Sequence, residues 1–283
     1  MRIQKILVAS DLSQRSRHAL HRAIRLAAAH DAELHILNVV DEELPGPVAR
    51  GIRAAATETL TELIEELVPE SQPGSEIDIR FGDVSKTIVR IAEQSGADLI
   101  VLGPHRSRGL AELFRGTTLE RVARAARLPV LMVASPPQDG YRHVIVGVDF
   151  SPSSRKAVDA AATLAPGARM TLATAYHIPF KHFIDRAEPG DSDIRAEKRR
   201  IERELREGLS SFEEECPARS KGYAHAFIEG GSAESLIGYA EERGADLICV
   251  GSHGRSWLAG AFLGSTAREL FSSAPCDVLV APG

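Results

Sequence analysis

The sequence predicts an α/β fold in two tandem doubly wound domains, each an open five-stranded parallel sheet in the order 3-2-1-4-5 with helices on both faces. Three observations carry this. The stretch Gly96–Thr117, GADLIVLGPHRSRGLAELFRGT, recurs as Gly244–Ser265, GADLICVGSHGRSWLAGAFLGS, at a constant offset of 148. Within each copy, short apolar runs alternate with helical patterns, the sequence form of strands joined by crossover helices. The 283 residues, 43% hydrophobic and 26% charged, suffice for two ordinary cores.

The offset of 148 also lays RFGDVSKTIVRIA (Arg80–Ala92) over IEGGSAESLIGYA (Ile228–Ala240), and PVLMV at 129 over DVLVA at 277. Upstream it falls to 138, where KILVASDLS at Lys5 matches HVIVGVDFS at His143. Such a period is too long for a solenoid unit, so the reading is two domains, 1–137 and 141–283, joined by SPPQDGY.

In the first copy strands are expected at Lys5–Ala9, Glu33–Val40, Glu76–Phe81, Leu99–Leu102 and Val130–Val133. Ala19, Ala23, Ile24 and Ala27 lie at helical spacing between the first two, Leu60, Leu63, Ile64 and Leu67 between the next two, and the helix after the third closes on Gly96, an expected left-handed cap. The second copy places strands at His143–Val148, Met170–Ala175, Gly222–Phe227, Leu247–Val250 and Asp277–Val280. Its run RAEKRRIERELREGL mixes signs at helical spacing, the pattern of a solvated face. Asp41–Gly51 and His177–Asp193 read as irregular loops at strand ends, where such sheets bind ligands. The last strands, Val130–Val133 and Val278–Val280, are edges that need cover, so they are expected to pair with one another within the chain.

Several classes are disfavoured. A net charge of −5 gives no footprint for nucleic acid, and no apolar run reaches the roughly 18–20 residues that span a bilayer. MRIQKILVAS enters a strand without a signal-peptide core, so cytoplasm is the expected location. Cys216, Cys249 and Cys276 lack CxxC spacing and read as structural thiols. His177, His182 and Asp185, or His18 with His21, show no defined ligand pattern, so no protein metal site is expected.

The chemistry concentrates after the fourth strand of the second copy. Gly251, Ser252, His253 and Gly254 are followed, nine residues on, by Gly264, Ser265 and Thr266 at a helix start. Glycines allow a sharp turn, and an unpaired helix N-terminus with adjacent hydroxyls favours an anion such as phosphate. Asp149 ends the first strand of this copy, beside the same crevice, where an acidic residue can accept ribose hydroxyls.

On these residues the chain resembles a tandem member of the universal stress protein family over nearly all of both halves. The family's nucleotide-binding subgroup carries a Gly, two residues, Gly, nine residues, Gly, then Ser or Thr pattern, which Gly251, Gly254, Gly264 and Ser265 match. The resemblance implies binding of ATP, carrying Mg²⁺, by a stress-response regulator. Asp149 would lie near the ribose, Ala175 near the adenine, and Gly251, His253, Gly254, Gly264, Ser265 and Thr266 around the phosphates. It also implies pairing through the last strands, as a pseudo-dimer or a homodimer.

The first copy keeps Asp11, Val39, Gly103, Gly116 and Thr117 but has Arg106 at the second glycine and Pro104 before it. Either Arg106 fills the site, or with Arg108 and Arg115 it offers charge-assisted contacts to another anion. No nucleophile or orienting carboxylate is identifiable beside His105 or His253, so at most slow hydrolysis is expected and no catalytic residue is assigned. The alternative is a scaffold of the same fold with both sites vacant, acting through its loops.

Overall fold

The structure is a computed structural model describing residues 2–40, 45–67, 75–104, 116–134, 136, 140–178, 191–216, 222–254 and 262–283, without the side chains of 191–195. The N-terminal half runs β1 (Lys5–Ala9), α1 (Gln14–His30), β2 (Glu33–Val40), α2 (Gly46–Leu67), β3 (Ser75–Phe81), α3 (Val84–Ser95), β4 (Leu99–Leu102), α4 (Thr118–Ala125) and β5 (Val130–Met132). The C-terminal half runs β6 (His143–Gly147), α5 (Pro152–Leu164), β7 (Arg169–Tyr176), α6 (Asp191–Glu214), β8 (Ala224–Glu229), α7 (Ser232–Arg243), β9 (Leu247–Gly251), α8 (Ser265–Ser273) and β10 (Asp277–Ala281).

Helix boundaries follow from local chemistry. Ser13 caps α1 by accepting the Ser16 amide, and the helix stops where Asp31 turns left-handed at φ 52. Asp83 caps α3 through the Lys86 amide at 2.9 Å, and Gly96 ends it at φ 69. The Asp41–Gly51 reading needs correction, because α2 begins at Gly46. Pro47 lies in this helix's first turn, where proline is tolerated because its missing N–H has no intrahelical acceptor.

A second correction concerns the sheet. The two sheets, each expected as an open five-stranded one, are joined by the expected pairing of their last strands into one ten-stranded sheet, ordered β3-β2-β1-β4-β5-β10-β9-β6-β7-β8. All its pairings are parallel except β5 with β10, which run antiparallel with Leu131 opposite Leu279 and Val130 opposite Val280. Alternate residues along the strands feed two cores. Ile6, Val8, Leu131, Val144, Val146 and Leu279 face one side, while Leu7, Ile100, Val130, Ile145, Ile248 and Val278 face the other. Burying a leucine such as Leu131 or Leu279 contributes about 1.5–3 kcal/mol.

A buried polar cluster pins the seam. Asp277 Oδ2 accepts from Arg22 Nε at 3.1 Å and from the Tyr141 hydroxyl at 2.7 Å, and Oδ1 accepts from the Ala134 amide at 3.0 Å. The Arg22 guanidinium stacks 4.3 Å from the Tyr141 ring centre. Burial pushes the Asp277 carboxyl up, against the pull of Arg22, Tyr141 and Ala134. This ties α1 of one half, the connecting segment and β10 of the other through a single carboxylate. The free thiols Cys216, Cys249 and Cys276 are buried, and burial raises all three, Cys216 to about 11 and Cys276 to about 12, so they are poor nucleophiles.

Candidate functional site

Parallel β6 and β9 are neighbours in the sheet, so the segments leaving their C-terminal ends face each other across a cleft of about 680 Å³. Its wall includes Asp149, Ala175, Gly251, His253, Gly254, Gly264, Ser265 and Thr266, so the second-half residues singled out in the sequence lie together. The volume is within the ~300–1,000 Å³ of small-molecule sites.

The glycines act by close approach. A Cβ on Gly251 would lie 2.6 Å from Ser153 Cβ, so its absence lets the end of β9 pack on the start of α5. At Gly254 a Cβ would lie 2.8 Å from Asp149 Oδ2, which puts bare backbone against the carboxylate. The other oxygen of Asp149 accepts from the Ser151 amide at 3.1 Å, holding the side chain at the mouth of the cleft.

Opposite stands the start of α8. The Gly264 amide donates to Ser252 O at 2.7 Å, so it is engaged within the protein rather than offered to a ligand. Among the described residues no side chain caps the first turn of this helix, whose positive end faces the cleft at Ser265 and Thr266. Ser252 stitches the turn together. Its amide donates to Ala281 O at 2.8 Å, and its hydroxyl lies 2.8 Å from His253 Nδ1. Burial and the nearby Lys156 charge lower the His253 pKa, so the ring is neutral at pH 7. Val148, Ala173, Ala175 and Leu236 supply an apolar wall. One cleft therefore offers an anion-seeking end, a carboxylate that accepts hydroxyls, and an apolar surface.

The first half has a corresponding cleft of about 610 Å³, walled in part by Asp11, Val39 and Gly103. Leu12 repeats the left-handed turn of Phe150, with φ 62 against 65. Asp11 accepts from the Ser13 amide at 3.0 Å; burial raises its carboxyl, but hydrogen bonds from Ser13 and Ser16 outweigh this and leave it below its ordinary value. Gly103 again permits close approach, since a Cβ would meet Arg15 O at 3.0 Å. Gly116 and Thr117 stand at the head of α4 rather than on the cleft wall, where Thr118, Leu119 and Arg121 appear instead. Arg106, His105, Arg108 and Arg115 lie outside the described residues, as do His182 and Asp185. Among the described residues no group of three His, Cys, Asp or Glu is placed to hold a metal, and no helix is long and apolar enough to cross a membrane.

The sequence reading overlooked Lys156, whose charge adds to burial in lowering the His253 pKa, and Glu120, which completes the cap of α4. The first carries no local motif, but the second stands in a Thr-x-x-Glu pattern, Thr117 to Glu120, that marks a capping box.

The chain is similar to known proteins in sequence and in fold. The sequence model of the Universal stress protein family matches residues 2–134 and again 140–282. A universal stress protein of Mycolicibacterium smegmatis is 26% identical over 292 aligned positions, covering 97% of this chain and 96% of the relative. One of Methanocaldococcus jannaschii is 32% identical over 144 positions, 48% of this chain and 85% of the relative. The crystal structure of a universal stress protein from Archaeoglobus fulgidus, 18% identical, superposes with a TM-score of 0.71 over 99% of this chain and 97% of that one.

Proposed function

The chain belongs to the universal stress protein family, and on that premise we propose that its C-terminal half binds an adenine nucleotide, ATP, as the sensing part of a stress-response regulator. The observation that carries this reading is an uncapped helix start facing a glycine turn pressed against Asp149 in one cleft. The amides and hydroxyls of Ser265 and Thr266 would hold phosphate oxygens. Asp149 would accept ribose hydroxyls, and the adenine would lie along Ala175 and Leu236. Mg²⁺ would arrive with the nucleotide, bound mainly to its phosphates. On this reading the nucleotide is held rather than turned over, with the His253 ring meeting the Ser252 hydroxyl at 2.8 Å.

Calorimetric titration of the full chain with ATP tests this. One nucleotide per chain is expected, and the heat should vanish in Gly254→Arg, whose side chain would collide with Asp149. A wild-type chain that takes up no ATP at millimolar nucleotide overturns the reading.

A further inference from the structure

The walls of the two clefts differ in charge. In the first half Arg15, in the first turn of α1, and Arg121, on α4, stand in the wall together with Asp11. Helix α1 packs on one core through Ala19 and Leu20, and α4 on the other through Leu119 and Val122, so the two arginines approach the cleft from opposite faces of the sheet. Their counterparts in the second half are Ser153 and Glu269, and the described wall of that cleft contains no arginine or lysine. The Arg121 side chain reaches toward α3: its Nη1 lies 3.7 Å from Oδ2 of Asp83, the residue before Val84, which is itself in the wall. That separation is too long for a hydrogen bond, and the other oxygen of Asp83 is engaged in capping α3. Arg121 Nε is shut off from solvent and has no hydrogen-bond partner among the described residues. A buried N–H of a cation beside a cavity is costly unless something accepts from it.

We infer that the N-terminal cleft is a binding site for an organic monoanion, a carboxylate on an aliphatic body, whose charged group is taken by Arg121 and Arg15. Two guanidiniums against the one carboxylate of Asp11 leave the wall a single net positive charge, which one negative charge balances. The planar fork of a guanidinium matches the edge of a carboxylate. The rest of the wall suits a hydrocarbon. Ile52, Ala55 and Ala56 of α2 stand on one side of the cleft of about 610 Å³, and Val84 and Ile88 of α3 on the other. The described wall of the second cleft contains no residue of α6, the counterpart of α2, so this apolar side belongs to the first half. The site is separate from the nucleotide cleft proposed above and does not depend on it.

The probes are octanoate and octan-1-ol, which share a hydrocarbon chain and differ in charge, titrated by calorimetry into the full chain. One octanoate per chain is expected with a dissociation constant of about 0.1–1 mM, and octan-1-ol should bind at least about tenfold more weakly. Arg121→Gln and Arg15→Gln, shown to be folded by their melting curves, should each weaken octanoate about fivefold to tenfold and leave octan-1-ol unmoved. Arg121→Lys keeps the charge beside Asp83 and serves where the glutamine variant does not fold; it should weaken octanoate about threefold. Gly254→Arg, which alters only the second cleft, should bind octanoate as wild type does. A wild-type chain that takes up no octanoate at about 10 mM overturns the inference. So does an octan-1-ol affinity equal to that of octanoate, which would report an apolar hollow with no part for the arginines. Octanoate affinity unchanged in the Arg121 and Arg15 variants, or lost in Gly254→Arg, overturns it as well, the last by placing the anion in the second half.

Discussion

The two clefts stand on corresponding turns, yet the helix starts beside them carry opposite chemistry. In the second half Gly254 lies against Asp149, Ser252 links the turn to β10 and α8, and no described side chain caps the helix start. In the first half Pro104 takes the place of Ser252 and has no N–H for the link to the last strand, Arg15 replaces Ser153, and Glu120 fills the helix start. A few substitutions at the strand ends have separated two copies whose cores still alternate in the same way. The lesson is that the fold is specified by many small apolar contacts and ligand preference by a few polar groups, so the second can diverge while the first is kept.

The seam between the halves should show the opposite behaviour, and breaking it gives the largest effect. Leu131 and Leu279 face each other at the centre of the sheet, both essentially without exposure. Leu131→Asp and Leu279→Asp should each destabilise the chain by about 4 kcal/mol, because either buries an unpaired charge in apolar surroundings. Urea denaturation measures this. Penalties below about 1 kcal/mol, or confined to one of the two, would show that the seam is not a symmetric part of the core.

A middle-sized effect separates the aspartates. Asp149→Ala should weaken ATP about tenfold, the loss of hydrogen bonds to a charged acceptor, whereas Asp11→Ala should leave ATP binding by the whole chain unchanged. Equal losses at the two positions would mean that the first cleft contributes to nucleotide binding after all.

The smallest effect is a pH dependence confined to the second half. The His253 pKa is lowered by burial and by Lys156, so the free chain holds the ring neutral at pH 7. A triphosphate beside it would raise that pKa, and binding would then take up a proton, so the wild-type affinity should gain on that of His253→Asn as pH falls from about 8 to 6. The ratio of wild-type to variant affinity should rise by up to about twofold, measured by calorimetry on both chains, for roughly half a pKa unit of coupling. A constant ratio between the two chains across that range would remove His253 from the phosphate end.

Much of this was legible in the sequence because the repeat doubles every signal. Strand positions follow from apolar runs such as LIVL at Leu99–Leu102 and LICV at Leu247–Val250, and Gly96 and Gly244 both end helices in the left-handed region. What stayed hidden depends on contacts between segments far apart in the chain. Gly251 looks like a phosphate-loop glycine, but the structure shows that Ser153 also demands it. The Gly264 amide looks free to bind a ligand, but it is spent on Ser252 O. The joining of two sheets into one depends on β5 meeting β10, which edge-strand chemistry suggests but local pattern cannot set in register. Glu120 was within reach, since Thr117-x-x-Glu120 is a readable capping signature, but only the coordinates place its carboxylate against Gly116.

The cluster around Asp277 bears on how such a chain came to be loyal to itself. Counting along the repeat, the partner positions of Asp277 and Arg22 are Pro129 and Ala160, so the carboxylate finds its guanidinium only when unlike halves meet. Two C-terminal halves from different molecules, joined edge to edge by the same strand, would seal a pair of uncompensated carboxylates into an apolar seam. The two copies are therefore not interchangeable at the seam, since only unlike halves bring Arg22 and Asp277 together.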